Sequence, residues 1–141
     1  MSNLRFVNVS KNNIILLENF VIEMGAASNT FRYYDKRSLN VIENHMTTLL
    51  LLDDGIPAAY GHLERENNVV WLGICVLPLR WGQGLGKYVI EKLIESAKEL
   101  KETSINLTVD KTNLSAISLY EKVNFRKICE NEHYFTYQLT I

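Results

Sequence analysis

Residues 69–99 limit what this chain can build. They run as a strand-length apolar segment, a glycine-rich turn and a long amphipathic helix, without interruption. The run Val69-Val70-Trp71-Leu72-Gly73-Ile74-Cys75-Val76-Leu77 ends at Pro78, and Arg80-Trp81-Gly82-Gln83-Gly84-Leu85-Gly86-Lys87 then turns straight into the helix. Leu85, Val89, Leu93, Ala97 and Leu100 recur at helical spacing and predict a buried stripe, with Lys87, Glu91, Lys92, Glu95, Lys98 and Glu99 on the other side. A helix start leaves about four backbone N–H groups without partners. Ser, Thr, Asp or Asn usually covers one of them. Glycines stand there in this chain, so the helix end behind the strand is an open anion site suited to a phosphate or pyrophosphate.

The flanking segments predict the rest of the sheet. A short strand at 4–9 precedes a helix at 12–23, capped by Ser10 and ended by Gly25. A loop at 26–29 and an aromatic, charged segment at 31–37 lead to a second short helix within 38–45. Strands at 47–52 and 56–65 flank an Asp53-Asp54-Gly55 hairpin, and Glu66-Asn67-Asn68 turns again into the strand at 69. After the long helix come a strand at 104–109, a helix at 114–122 and strands at 125–128 and 134–139. Strand, helix, strand implies a parallel pair with a crossover; the other pairings are antiparallel. The expectation is one α+β domain over residues 1–141: a mixed, mostly antiparallel sheet with a central parallel strand pair and helices on both faces.

Composition narrows the function classes. The 141 residues carry a net charge of −1, which gives no field for nucleic acid or an anionic membrane. No apolar run approaches a bilayer span, and Met1-Ser2-Asn3-Leu4-Arg5 lacks a signal-peptide pattern. Cys75 and Cys129 stand apart with no metal spacing. Both lie in apolar runs, so two buried free thiols, no metal and a cytoplasmic location are expected.

Three glycine-rich designs compete for the anion turn. The dinucleotide fingerprint G-x-G-x-x-G fails because Gly82, Gly84 and Gly86 bring the third glycine one residue early. The P-loop pattern fails at both ends, with Trp81 at the first glycine and Tyr88 at the hydroxyl position. The third design fits. Residues 76–87 resemble the acetyl-CoA motif of the GNAT superfamily of N-acyltransferases, [RQ]-x-x-G-x-[GA], with Gly84 and Gly86 in the small positions. Residues 113–125 resemble that family's N-x-x-A-x-x-x-Y-x-x-x-[GN]-F segment through Asn113, Ala116, Tyr120, Asn124 and Phe125. The chain departs from the first motif at Trp81, which stands in the Arg/Gln position.

The resemblance implies acetyl-CoA as co-substrate and a primary amine as acceptor. It implies that Gly82, Gln83, Gly84, Leu85, Gly86 and Lys87 hold the pyrophosphate. The strand Ile74-Cys75-Val76 would splay from its neighbour to pair with the pantetheine arm, and Asn113 would contact the cofactor as well as cap its helix. It also implies that Tyr120 is the general acid. The Arg80 side chain can reach the pyrophosphate, and Trp81 is expected to pack on the helix.

The base must be read from the residues, because the strand position where many relatives carry Glu holds Thr108. His62 shares a strand face with Tyr60 and Glu64 and is the first candidate. His45 is second and a water chain third. Phe31, Arg32, Tyr33 and His45 are the candidate acceptor contacts, and their aromatic and cationic mix suits an amino sugar bearing a phosphate. The expected activity is direct acetyl transfer to a small-molecule amine in a ternary complex, by a monomer or homodimer. A protein or peptide N-acetyltransferase and a non-catalytic acyl-CoA-binding module are the alternatives.

Overall fold

The structure is a computed structural model that describes residues 3–141. In chain order the elements are β1 (Leu4–Asn8), α1 (Ile14–Ile22), β2 (His45–Asp53), β3 (Ile56–Glu66), β4 (Val69–Val76), α2 (Leu85–Glu99), β5 (Ser104–Asp110), α3 (Leu114–Lys122), β6 (Arg126–Glu130) and β7 (Tyr134–Thr140). The strands form one sheet in the order β1-β2-β3-β4-β5-β7-β6, and β4–β5 is its parallel pair. Two two-residue turns drive the antiparallel meander. Asp54 and Gly55 (φ 51° and 83°) join β2 to β3, and Asn67 and Asn68 (φ 52° and 64°) join β3 to β4.

Strand alternation sends side chains to two cores. Leu49, Leu51, Ala59, Leu63 and Leu72 pack under α2 against Val89, Ile90 and Leu93. On the other face Leu50, Leu52, Tyr60 and Cys75 pack under α1 against Leu17, Phe20 and Met24. Helix α2 lies close on the sheet. A Cβ added at Gly61 of β3 would lie 2.6 Å from Val89 Cγ1 and 2.8 Å from Leu93 Cδ1. Gly61→Ala is therefore expected to cost about 1–3 kcal/mol of stability by overpacking. A urea unfolding midpoint equal to that of the wild type would show that α2 can lift without cost.

Several expectations are corrected. The first helix is shorter than 12–23. Ser10 caps a 3-10 turn, Lys11–Asn13, accepting from the Asn12 N–H while its own N–H donates to Asn13 Oδ1 at 2.7 Å, and α1 begins at Ile14. It ends at Ile22, and Gly25 opens a further 3-10 turn, Gly25–Asn29, where a loop was expected. The short helix expected within 38–45 is present, as a 3-10 helix, Leu39–Asn44. Leu100 follows the end of α2 and is 48% exposed; Ile90, which the spacing passed over, is the buried member instead. Cys75 is buried, but Cys129 is exposed because it lies on edge strand β6, whose residues all face solvent.

One irregularity positions the site. Strands β4 and β5 pair through a single register position, Trp71 with Asn106. Beyond it β4 has no partner on that side among the described residues. The Leu77 N–H donates to Ala58 O of β3 at 3.1 Å. Backbone alternation therefore turns the polar groups of Val76 and Ile74 toward the open side.

Candidate active site

The splay opens a cleft of about 400 Å3. Leu72, Gly73 and Ile74 line it from β4, Thr108 and Asp110 from β5, and Asn113 and Tyr120 from α3. His62, Glu64 and Glu66 line it from β3, and Phe31, Arg32 and Tyr33 from the loop before β2. Leu72 packs into the α2 core, whereas His62 and Glu64 alternate onto the α1 face with Tyr60. The cleft is thus walled from both faces of the sheet. A second hollow, of about 270 Å3 and formed by Glu121, Asn124, Phe125, Arg126 and Lys127, contains none of these groups.

His62 enters the cleft because residue 73 has no side chain. In register His62 lies opposite Gly73, and a Cβ there would come within 2.5 Å of its Cε1 and 2.9 Å of its Nε2. The ring is 3% exposed. Its Nδ1 shares a 2.7 Å hydrogen bond with the Tyr60 hydroxyl, which bonds the Tyr34 hydroxyl at 2.6 Å. Its Nε2 has no hydrogen-bond partner among the described residues, yet no buried side-chain polar atom is left unsatisfied. Nε2 therefore opens onto the cleft. Burial is the main force lowering the His62 pKa well below 6.5, with His45 and Arg37 adding to it. The ring is neutral at pH 7 and can accept a proton.

His45 is committed elsewhere. Tyr33 gives its single proton to Glu64 Oε1 at 3.1 Å, so its 2.7 Å bond to His45 Nε2 is donated by the imidazole. His45 Nδ1 then accepts from Thr48 Oγ1 at 2.8 Å. The ligand-type atoms of His45, His62 and Glu64 lie within 4.8 Å of one another, but Tyr33 already joins two of the three by hydrogen bonds. Both ring nitrogens of His45 are thus engaged, whereas His62 keeps one ring nitrogen without a partner among the described residues.

Both histidines are held neutral, which predicts a pH dependence of stability. Burial lowers His45 to about 4 from 6.5. Between those values the unfolded chain binds more protons than the folded one, so stability is complete above pH 6.5 and is lost as pH falls toward 4. The Tm is expected to drop across that window, and His45→Gln to flatten the drop. A Tm independent of pH over the same range would contradict this.

Tyr120 reaches the cleft from the other side. It is 6% exposed, its ring packs against Phe125 with centroids 5.9 Å apart, and its hydroxyl bonds no protein group among the described residues. Burial, with Cys75 nearby, pushes its phenol pKa above 10. It keeps its proton at neutral pH, as a proton donor must. Asn113 caps α3, accepting from the Ala116 N–H at 3.3 Å, and also lines the cleft.

The glycine turn behaves as an open anion nest. Gly82 and Gly84 both take φ of 78°, and Gly84 caps α2 without a side-chain hydrogen bond. None of the backbone N–H groups of residues 82–87 has a partner among the described residues. Their open N–H groups fit an anion of pyrophosphate type. One side chain at the turn differs from expectation. Trp81 is 56% exposed instead of packed on the helix, and its indole N–H donates to Val76 O at 2.8 Å. Arg80 bonds Asp53 at 2.8 Å and Gln83 Oε1 at 2.9 Å, which holds its guanidinium beside the turn, while the Gln83 backbone N–H stays open with the rest of the nest.

A family profile described as Acetyltransferase (GNAT) family matches residues 15–125. The chain belongs to the GNAT acetyltransferase family. YobR of Bacillus subtilis strain 168, an uncharacterized N-acetyltransferase, is 36% identical to this GNAT chain over 104 residues, which are 74% of this chain and 35% of YobR. The chain thus spans about a third of that relative's length. The GNAT-family acetyltransferase of Streptococcus pneumoniae shares its fold with a TM-score of 0.81 at 19% identity, covering 99% of this chain and 100% of that one. YncA of Salmonella typhimurium, solved with its cofactor acetyl-CoA, matches with a TM-score of 0.78 at 16% identity, over 97% of this chain and 93% of its own.

Tyr120, Asn113, His62, Ile74, Phe31, Arg32 and Tyr33, all singled out by the sequence, line one cleft of this GNAT fold; His45 does not line it and is bonded to Tyr33 instead. Sequence reading missed Gly73, although a glycine inside an apolar strand marks a close approach by another group. It also missed Glu66 and Asp110, which no local pattern distinguishes from solvated charges.

Proposed function

We propose that the chain is an acetyl-CoA-dependent N-acetyltransferase acting on a small-molecule primary amine by direct attack within a ternary complex. One observation carries this reading: His62 Nε2 and the Tyr120 hydroxyl open onto the same cleft, which is walled from both faces of the sheet. Family membership supports acetyl-CoA as the co-substrate. It supplies a thioester carbonyl and a thiolate leaving group. The N–H groups of residues 82–87 and the side of Asn113 facing the cleft hold it, and the N–H groups of Ile74 and Val76 point where a polar arm can pair.

His62 takes the proton that the acceptor nitrogen sheds as its bond to carbon forms. The Nδ1 bond to Tyr60 orients the ring for this. Tyr120 holds the proton that the leaving thiolate needs. Arg32 forms a two-point pair with Asp110 at 2.9 and 3.0 Å, and Arg37 bonds the Tyr33 carbonyl at 2.9 Å. Arg32 is therefore occupied, whereas Arg37, which lines the same cleft and bonds only a neutral carbonyl, keeps its charge and its other donors for an anionic group on the acceptor.

The test is thiol release from acetyl-CoA across a panel of amines that includes amino sugars, with product masses measured. Amine-dependent thiol release with an acetylated product is expected. Coenzyme A binding without amine-dependent release would identify a binding module instead.

A further inference from the structure

Behind the cleft, three polar groups stand in a row. His62 Nδ1 lies 2.7 Å from the Tyr60 oxygen, which lies 2.6 Å from the Tyr34 oxygen. A neutral imidazole carries one ring proton and each phenol carries one. Each of the two hydrogen bonds uses one proton, so the third must sit at an end of the row. Two orders satisfy this. In the first, His62 Nδ1–H donates to Tyr60, Tyr60 donates to Tyr34, and the Tyr34 proton points away from the row. In the second, Tyr34 donates to Tyr60, Tyr60 donates to His62 Nδ1, and the imidazole proton sits on Nε2.

The surroundings select the first order. His62 is buried, and its Nε2 has no acceptor within hydrogen-bond distance among the described residues, so a proton there would have no protein partner. A buried donor without an acceptor is the costly arrangement. Tyr34 is only half-buried, so its proton can reach water. The Tyr60 hydroxyl, buried and bonded only to these two groups among the described residues, keeps its proton, because burial above all, and then Tyr34, push its pKa well above 10.

We infer that Tyr34 is a positioning residue for the proposed base: by accepting the Tyr60 proton, it keeps the His62 proton on Nδ1 and leaves the lone pair of Nε2 facing the cleft. The inference rests on the proposed transferase reading. Tyr34 does not line the cleft and acts through Tyr60. Without the Tyr34 oxygen, the Tyr60 proton has one acceptor left among the described residues, His62 Nδ1. The imidazole must then carry its own proton on Nε2, where it cannot take a second from the acceptor amine. In the wild-type order no group has to turn during the reaction. Nε2 gains the proton, and the Nδ1–H bond to Tyr60 stays as it was.

Tyr34→Phe tests this. The phenyl ring keeps the edge contacts with Tyr33 and Tyr60, whose centroids lie 4.9 and 5.7 Å away, and removes only the oxygen. The variant is expected to lower kcat at least about tenfold with little change in the KM for acetyl-CoA. The deciding readout is the tautomer, followed by NMR of the ring nitrogens in protein carrying isotope-labelled histidine. The His62 signals are those missing from His62→Gln. At neutral pH the wild-type His62 proton is expected on Nδ1 with Nε2 bare, and in Tyr34→Phe on Nε2. A merely structural role would lower the Tm and leave the proton on Nδ1. A wild-type proton on Nε2 would overturn the inference without any variant. So would an unchanged tautomer or an unchanged kcat in Tyr34→Phe. Acetylation of an amine by the wild type keeps the transferase reading standing in each of those cases. If the wild type acetylates no amine, the transferase reading falls, and with it the role of Tyr34 in supporting a base.

Discussion

His62→Gln is expected to lower kcat at neutral pH by about a hundredfold or more, the usual contribution of a positioned general base. It is also expected to remove the acidic limb of the kcat/KM profile. In the wild type this limb lies below pH 6.5, because burial holds the imidazole neutral until the solution is well into the acid range. Activity should therefore be flat through pH 7 and fall only in acid. Gly73→Ala offers a second route to the same defect without touching the base. Its methyl group would occupy space within 2.5 Å of the His62 ring, so the imidazole must turn away from the cleft. A similar fall in kcat is expected, with the Tm lowered only modestly. An acidic limb that persists in His62→Gln would clear His62 and return the proton to a water chain.

Tyr120→Phe is expected to lower kcat at least about tenfold while the KM for acetyl-CoA changes little. The substitution keeps the ring that packs on Phe125, and the lost hydroxyl leaves no protein group without its partner. The variant should fold as the wild type does. What it loses is the one buried phenol whose proton faces the cleft from the α3 side. Without it the departing thiolate must take a proton from water. Wild-type turnover in this variant would remove Tyr120 from the mechanism.

The fold was legible because local and global signals agree. The two left-handed turn pairs, Asp54-Gly55 and Asn67-Asn68, set the meander, and the strand–helix–strand unit sets the parallel pair. The anion turn was legible for the same reason: its glycines declare a backbone that side chains would block. The acceptor side was harder to read, since its geometry comes from cross-strand register. Nothing local shows that Gly73 stands opposite His62, or that Glu64 stands opposite Trp71. Trp81 misled in a different way. Its proximity to the glycines suggested helix packing, but the Val76 carbonyl claims its indole, while Asp53, 27 residues away in sequence, holds Arg80 beside the turn. Cys129 looked buried because apolar neighbours flank it, and only the sheet order reveals an edge strand.

The central claim is that donor and acceptor meet in one cleft and react without an acyl-enzyme. Initial rates measured over a grid of acetyl-CoA and acceptor concentrations, with the best amine of the panel, bear on it most directly. Intersecting double-reciprocal lines are expected, with an unmodified protein mass when acetyl-CoA is added alone. Cys75 is the residue that would carry an acyl group if the claim were wrong, but burial pushes its thiol up to about 12, far from a reactive thiolate. Parallel lines, together with an acetyl group on Cys75 in the absence of amine, would contradict direct transfer.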